Sequence, residues 1–69
     1  MRKVLIYPGE DGFWVAEVPS LPGCISQGET RAEALINIKD AIRLYIEVLE
    51  ADGLPVPDDY PSHTELIAV

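Results

Sequence analysis

The stretch Pro19 to Leu49, PSLPGCISQGETRAEALINIKDAIRLYIEVL, decides the fold. It reads as a tight turn, a short strand and one long amphipathic helix. Thr30 followed by Glu33 is a T-x-x-E capping box. The Thr30 hydroxyl can accept from the Glu33 backbone N–H, and the Glu33 carboxylate can reach back to the Thr30 N–H. Residues 31–52 hold no Gly and no Pro, so nothing there breaks a helix. Leu35, Ile38, Ile42, Tyr45, Ile46 and Leu49 follow helical spacing and form one stripe, flanked by Ala34, Ala41 and Val48. At about 100° per residue the apolar arc covers roughly 160°. Glu33, Lys39, Asp40, Arg43, Glu47 and Glu50 fall on the opposite side. Gly53 is placed to stop the helix in the left-handed conformation, and Pro55 prevents its continuation.

Working outward, Arg2 to Tyr7 alternates and is rich in β-formers. Neither of its faces is clearly polar, so partial cover on both is expected. Asp11-Gly12 favours a hairpin turn, and Phe13 to Val18 is the returning strand. Trp14, Ala16 and Val18 share one face of it; Phe13, Val15 and Glu17 share the other. Pro19 and Pro22 around Leu21 break that strand, and Gly23 supplies the φ of a type II turn. Cys24 to Gly28 is a short third strand. Beyond the helix, Leu54 to Pro61 is a stiff proline-rich connector, and Thr64 to Val69 is a last strand. The order β-β-β-α-β makes an α+β domain, with the helix on one face of a mainly antiparallel sheet. Residues 1–69 are expected to form one domain.

A chain of 69 residues buries a modest core. Cys24 is the only cysteine, so no internal disulfide can reinforce it, and a lone thiol suits a reducing, cytoplasmic setting. Association is the remaining device. A helix of about 22 residues is roughly 33 Å long, and a six-residue strand spans only about 20 Å. The helix end, with Tyr45, Ile46, Val48 and Leu49, is therefore the expected contact for a second subunit or a partner.

Twelve acidic residues against five basic ones give a net charge of −7. From Leu44 onward there are six acids and no Lys or Arg. Such a surface repels phosphate backbones and suits a basic protein. Net charge of this size serves solubility equally well. Met1-Arg2-Lys3 is not followed by a secretory apolar core, and no apolar run is long enough for a membrane span.

One resemblance emerges from these residues. Leu-Pro-Gly-Cys-x-Ser-x-Gly-x-Thr at Leu21 to Thr30, Glu33-Ala34, Asn37 and Ala41-Ile42 resemble the core of the HicB antitoxin domain. Gly-Phe-Trp-Val-Ala-Glu-Val-Pro at Gly12 to Pro19 fits it too. The resemblance implies a domain likened to a degraded ribonuclease H fold, often dimeric or larger. It implies a partner, a HicA toxin, which resembles a double-stranded-RNA-binding domain and cleaves messenger RNA. HicB proteins neutralise that toxin by covering its active surface. Many also carry a promoter-binding helix-turn-helix or ribbon-helix-helix segment; here only the strand at Thr64 to Val69 follows the connector, so promoter binding is not expected.

The ribonuclease H likeness raises an enzymatic alternative. Two-metal cleavage needs several converging carboxylates. Arg2 to Tyr7 supplies none, and Asp40, Glu47 and Glu50 lie on the solvated helix face. Cys24 lacks a recognisable base, and His63 lacks ligands at metal spacing. No catalytic residue, metal or cofactor is assigned. Trp14 reads as core. The expected partner surface comprises Glu47, Glu50, Asp52, Asp58, Asp59 and Tyr60. A residual nuclease, a small-ligand-binding domain and an orphan structural homo-oligomer remain the alternatives.

Overall fold

The computed structural model describes residues 2–61, 64, 65 and 67–69. Three strands precede one helix: β1 (Leu5–Pro8), β2 (Trp14–Glu17), β3 (Ile25–Gly28) and α1 (Arg31–Ala51). The sheet is antiparallel, in the order β1-β2-β3. Ile6 faces Ala16, which faces Ser26; Leu5 faces Glu17, which faces Ile25. The α+β order read from the sequence is therefore present through the helix.

The core explains why the helix lies where it does. Ala16, Val18, Leu21, Cys24, Ala34 and Ile38 are buried, with Val4, Ile6, Trp14, Ala41, Ile42 and Tyr45 packed against them. The sheet thus turns Val4, Ile6, Trp14, Ala16, Val18 and Cys24 toward α1. On the helix Ala34 and Ile38 are buried, with Ala41, Ile42 and Tyr45 packed beside them, whereas the half-buried Leu35, Ile46 and Leu49 do not join that core. The stripe is rotated toward its small-residue flank. Gly28 shows the reason: a Cβ there would lie 2.5 Å from the Ala34 nitrogen and 2.8 Å from the Glu33 carbonyl carbon. Strand and helix backbones touch at this point, and only small residues fit between them.

The helix starts as its sequence dictates. Thr30 has extended backbone (φ −126°, ψ 162°), and its hydroxyl accepts from the Glu33 N–H at 3.0 Å. The Glu33 carboxylate reaches one residue further back than expected, to the Glu29 N–H at 3.4 Å. At the far end Gly53 takes φ 70°, and the Leu54 N–H bonds the Leu49 carbonyl at 2.9 Å. Pro19 to Gly23 folds under the sheet and delivers Leu21, which is fully buried.

The connector is fastened to the start of β1. Arg2 donates to the Pro57 carbonyl and the Ser20 hydroxyl, at 2.6 and 3.1 Å. The Lys3 N–H donates to Asp59 at 3.0 Å. A fourth strand over Thr64 to Val69 does not form among the described residues of that stretch: Thr64, Glu65 and Ile67–Val69 belong to no strand and are exposed. The Thr64 N–H donates to the Pro61 carbonyl at 3.0 Å. Leu66 and His63 lie outside the described residues. No helix among the described residues is long and apolar enough to cross a membrane.

Candidate protein-binding surface

The expected partner residues separate into two groups. Glu47, Glu50 and Asp52 are exposed on and just after the last turns of α1, and Asp58 is exposed on the connector. Arg43 bridges Asp40 and Glu47, at 3.7 and 3.4 Å, and tempers the charge of the latter. The last turn of α1 carries no basic residue. Carboxylates there face the negative end of the helix dipole, which disfavours them. These acids weaken the helix that bears them.

Asp59 and Tyr60 make contacts within the chain. Asp59 accepts from the Lys3 N–H at 3.0 Å and the Ser20 hydroxyl at 3.1 Å, with the Lys3 ammonium 3.8 Å away. Desolvation opposes its charge, but bonds from the Lys3, Ser20 and Tyr60 donors and the Lys3 charge outweigh it and hold the carboxyl below its usual range. The Tyr60 hydroxyl donates to the Pro19 carbonyl at 3.2 Å, and the Lys3 ammonium donates to the Tyr60 carbonyl at 2.9 Å. These contacts span 39 to 57 positions of sequence, so no local pattern announces them.

Of the expected helix-end contact, Val48 is exposed at 60 %. Tyr45 is tied down, its hydroxyl donating to the Pro22 carbonyl at 2.8 Å, and Ile46 and Leu49 are half-buried. Two residues that the stripe omitted join Val48: Leu44, exposed at 53 %, and Ile25, exposed at 58 %. They border a hollow of about 390 Å³ between α1 and β3, floored by Ala41 and Cys24. The Ala41, Leu44, Val48 spacing was the available signal, one flank of the helix away from the main stripe. Cys24 is buried, and burial pushes its thiol up despite the nearby Arg2 charge. That is the opposite of an activated nucleophile.

The sheet face away from α1 carries Leu5, Tyr7, Val15, Glu17, Ile25 and Gln27, as the register requires. The Tyr7 hydroxyl donates to Glu17 at 2.8 Å, and this bond to a carboxylate raises the phenol's pKa. The two sheet edges differ. The Val18 N–H bonds the Cys24 carbonyl, so Val18, Ala16 and Trp14 use their main-chain groups toward β3. Val15 and Glu17 then bond β1, in line with the Gly9 N–H to Phe13 carbonyl bond. Ile25 and Gln27 therefore aim their main-chain groups out of the β3 edge, and Val4 and Ile6 aim theirs out of the β1 edge. The Gln27 carbonyl is capped by the Asn37 side-chain amide at 2.8 Å. Among the described residues nothing caps Val4 or Ile6.

Among the described residues no three His, Cys, Asp or Glu side chains come together as a metal site would need. What the surface offers is an apolar hollow, a group of acids and two unlike strand edges.

Comparison with known proteins adds the lineage. The family described as HicB-like antitoxin of bacterial toxin–antitoxin system matches residues 3–68. The UPF0150 protein Ta0767 of Thermoplasma acidophilum is 55 % identical over 56 residues, covering 81 % of each chain. The UPF0150 protein ssr1765 of Synechocystis is 50 % identical over 56 residues, covering 81 % of this chain and 71 % of its own. A UPF0150 protein of Helicobacter pylori is 54 % identical over 52 residues, covering 75 % and 71 % respectively.

Proposed function

The chain belongs to the HicB-like antitoxin family of bacterial toxin–antitoxin systems, and on that premise we propose that it binds a basic, HicA-type mRNA-cleaving toxin and covers its active surface. The action is occlusion in the cytoplasm, without catalysis and without a cofactor. The observation that carries this reading is the placing of Glu47, Glu50 and Asp52 at a helix end that disfavours them. Acids held where they cost stability are accounted for by a partner that uses them. The net charge of −7 and the uncovered Ile25, Leu44 and Val48 beside that helix end support the same partner: long-range steering from the acids, apolar anchoring from the strip. Self-association is part of the reading, because a core of this size gains from further burial.

The test separates function from stability. Replacing Glu47, Glu50 and Asp52 together by Lys is expected to raise the melting temperature, since the helix dipole is then complemented. The same variant is expected to associate with a HicA-type protein about tenfold or more slowly at low salt, with a flatter salt dependence. Association at wild-type rates across all salt concentrations would remove this patch from the interface. Purification of the chain from its host without any small basic protein that is toxic alone would remove the toxin itself.

A further inference from the structure

The hollow between α1 and β3 has a shape set by side-chain size. Cys24 and Ala41 give it a floor of small residues, and Ile25, Leu44 and Val48, each more than half exposed, stand around it. Tyr45 adds its ring to the lining, and its hydroxyl is spent on the Pro22 carbonyl. A small-residue floor inside a large-residue rim is a hole for a protruding apolar side chain. Ala41, Leu44 and Val48 recur at helical spacing, so this rim runs along α1 for about 10 Å. Carboxylates flank the hollow on both sides. Asp40, four residues before Leu44, and Glu47, three after it, are its neighbours on the helix surface, and both are exposed. Glu17 faces Ile25 across the strand pair. Arg43 bridges Asp40 and Glu47 at 3.7 and 3.4 Å, through exposed pairs weak enough for an incoming cation to replace.

We infer that this hollow receives a basic amphipathic helix of the partner, with an apolar residue seated over Cys24 and Ala41 and Lys or Arg residues meeting Asp40, Glu47 and Glu17. A strand added along β3 is the other way to pair at this side of the sheet. The Asn37 amide already occupies the Gln27 carbonyl at 2.8 Å, a main-chain group that such a strand needs. A docked helix is held by side chains and asks for no main-chain group of its host. Charge sets the chemistry of the occupant. A second copy of this chain carries the same −7 and brings like charges together, whereas a basic helix complements the flanking carboxylates. The inference rests on the toxin reading above and adds to it the form of the partner's contact and its seat.

The first probe is a synthetic peptide of leucine and lysine at amphipathic spacing, about two heptads long, with a proline-interrupted isomer of the same charge as its control. The helical peptide is expected to shift the methyl resonances of Ile25, Leu44 and Val48 in a saturable titration. Leu44→Gln and Val48→Gln are each expected to weaken its binding about tenfold or more. Both positions are exposed, so both variants are expected to melt as the wild type does. Failure of the peptide to bind, equal binding of the two peptides, or binding without shifts at those three residues overturns the inference. The second probe is a HicA-type protein from the same host, titrated into the same three chains. Weakening by both substitutions supports the inference. Toxin binding that neither substitution weakens overturns it while the toxin reading stands. A HicA-type protein that does not bind the wild type overturns the toxin reading, and the inference with it.

Discussion

The Asn37 side-chain amide donates to the Gln27 main-chain carbonyl at 2.8 Å, so the helix closes part of the outer edge of the strand it covers. An edge strand with free carbonyls invites pairing with other chains. Here one side chain, one helical turn after Glu33, occupies one of the outward carbonyls of β3.

Asn37→Ala reopens that edge. The expected cost is about 0.5–1.5 kcal/mol of stability, one hydrogen bond's net contribution. Concentration-dependent light scattering should rise as well, because the freed carbonyl borders the exposed Ile25. A variant that matches the wild type in both urea unfolding and scattering would show that the contact has no such role.

Gly28→Ala tests the close approach of strand and helix. The new methyl meets the Ala34 nitrogen and the Glu33 backbone, which cannot rotate away. Separating the two elements is expected to cost about 1–3 kcal/mol. In a domain of this size each kcal/mol lowers the melting temperature by about 4–8 °C. An unchanged melting temperature would mean that the helix can lift off β3 freely.

Asp59 gives the fold an acid-sensitive fastening. Its carboxyl is held below the usual range in the folded chain. A depressed carboxylate adds stability above its unfolded pKa, and that contribution is lost as pH falls through the lower, folded value. Asp59→Asn should therefore melt lower than the wild type near neutral pH, and the two should converge in acid. A gap that stays constant down to acid pH would refute the charged role of Asp59.

Sequence alone determined the elements with local causes. The Thr30 cap, the unbroken run of helix formers and the stop at Gly53 need only neighbours within a few residues, and each stands where it was read. The Asp11-Gly12 hairpin was legible in the same way, as was the lineage, through the residues from Leu21 to Ile42. Tertiary structure decided which flank of the helix meets the sheet, because the backbone contact at Gly28 sets Ala34 against the strand and leaves the larger Leu35 half-buried. It also joined Asp59 and Tyr60 to Lys3, Ser20 and Pro19, far away in sequence. It left the described residues beyond Thr64 without the strand partner that their pattern calls for. The physical reason is common to all three. Capping and turn preferences act over a few bonds, whereas the choice of a packing face or a distant partner depends on shapes and charges that meet only once the chain has closed on itself.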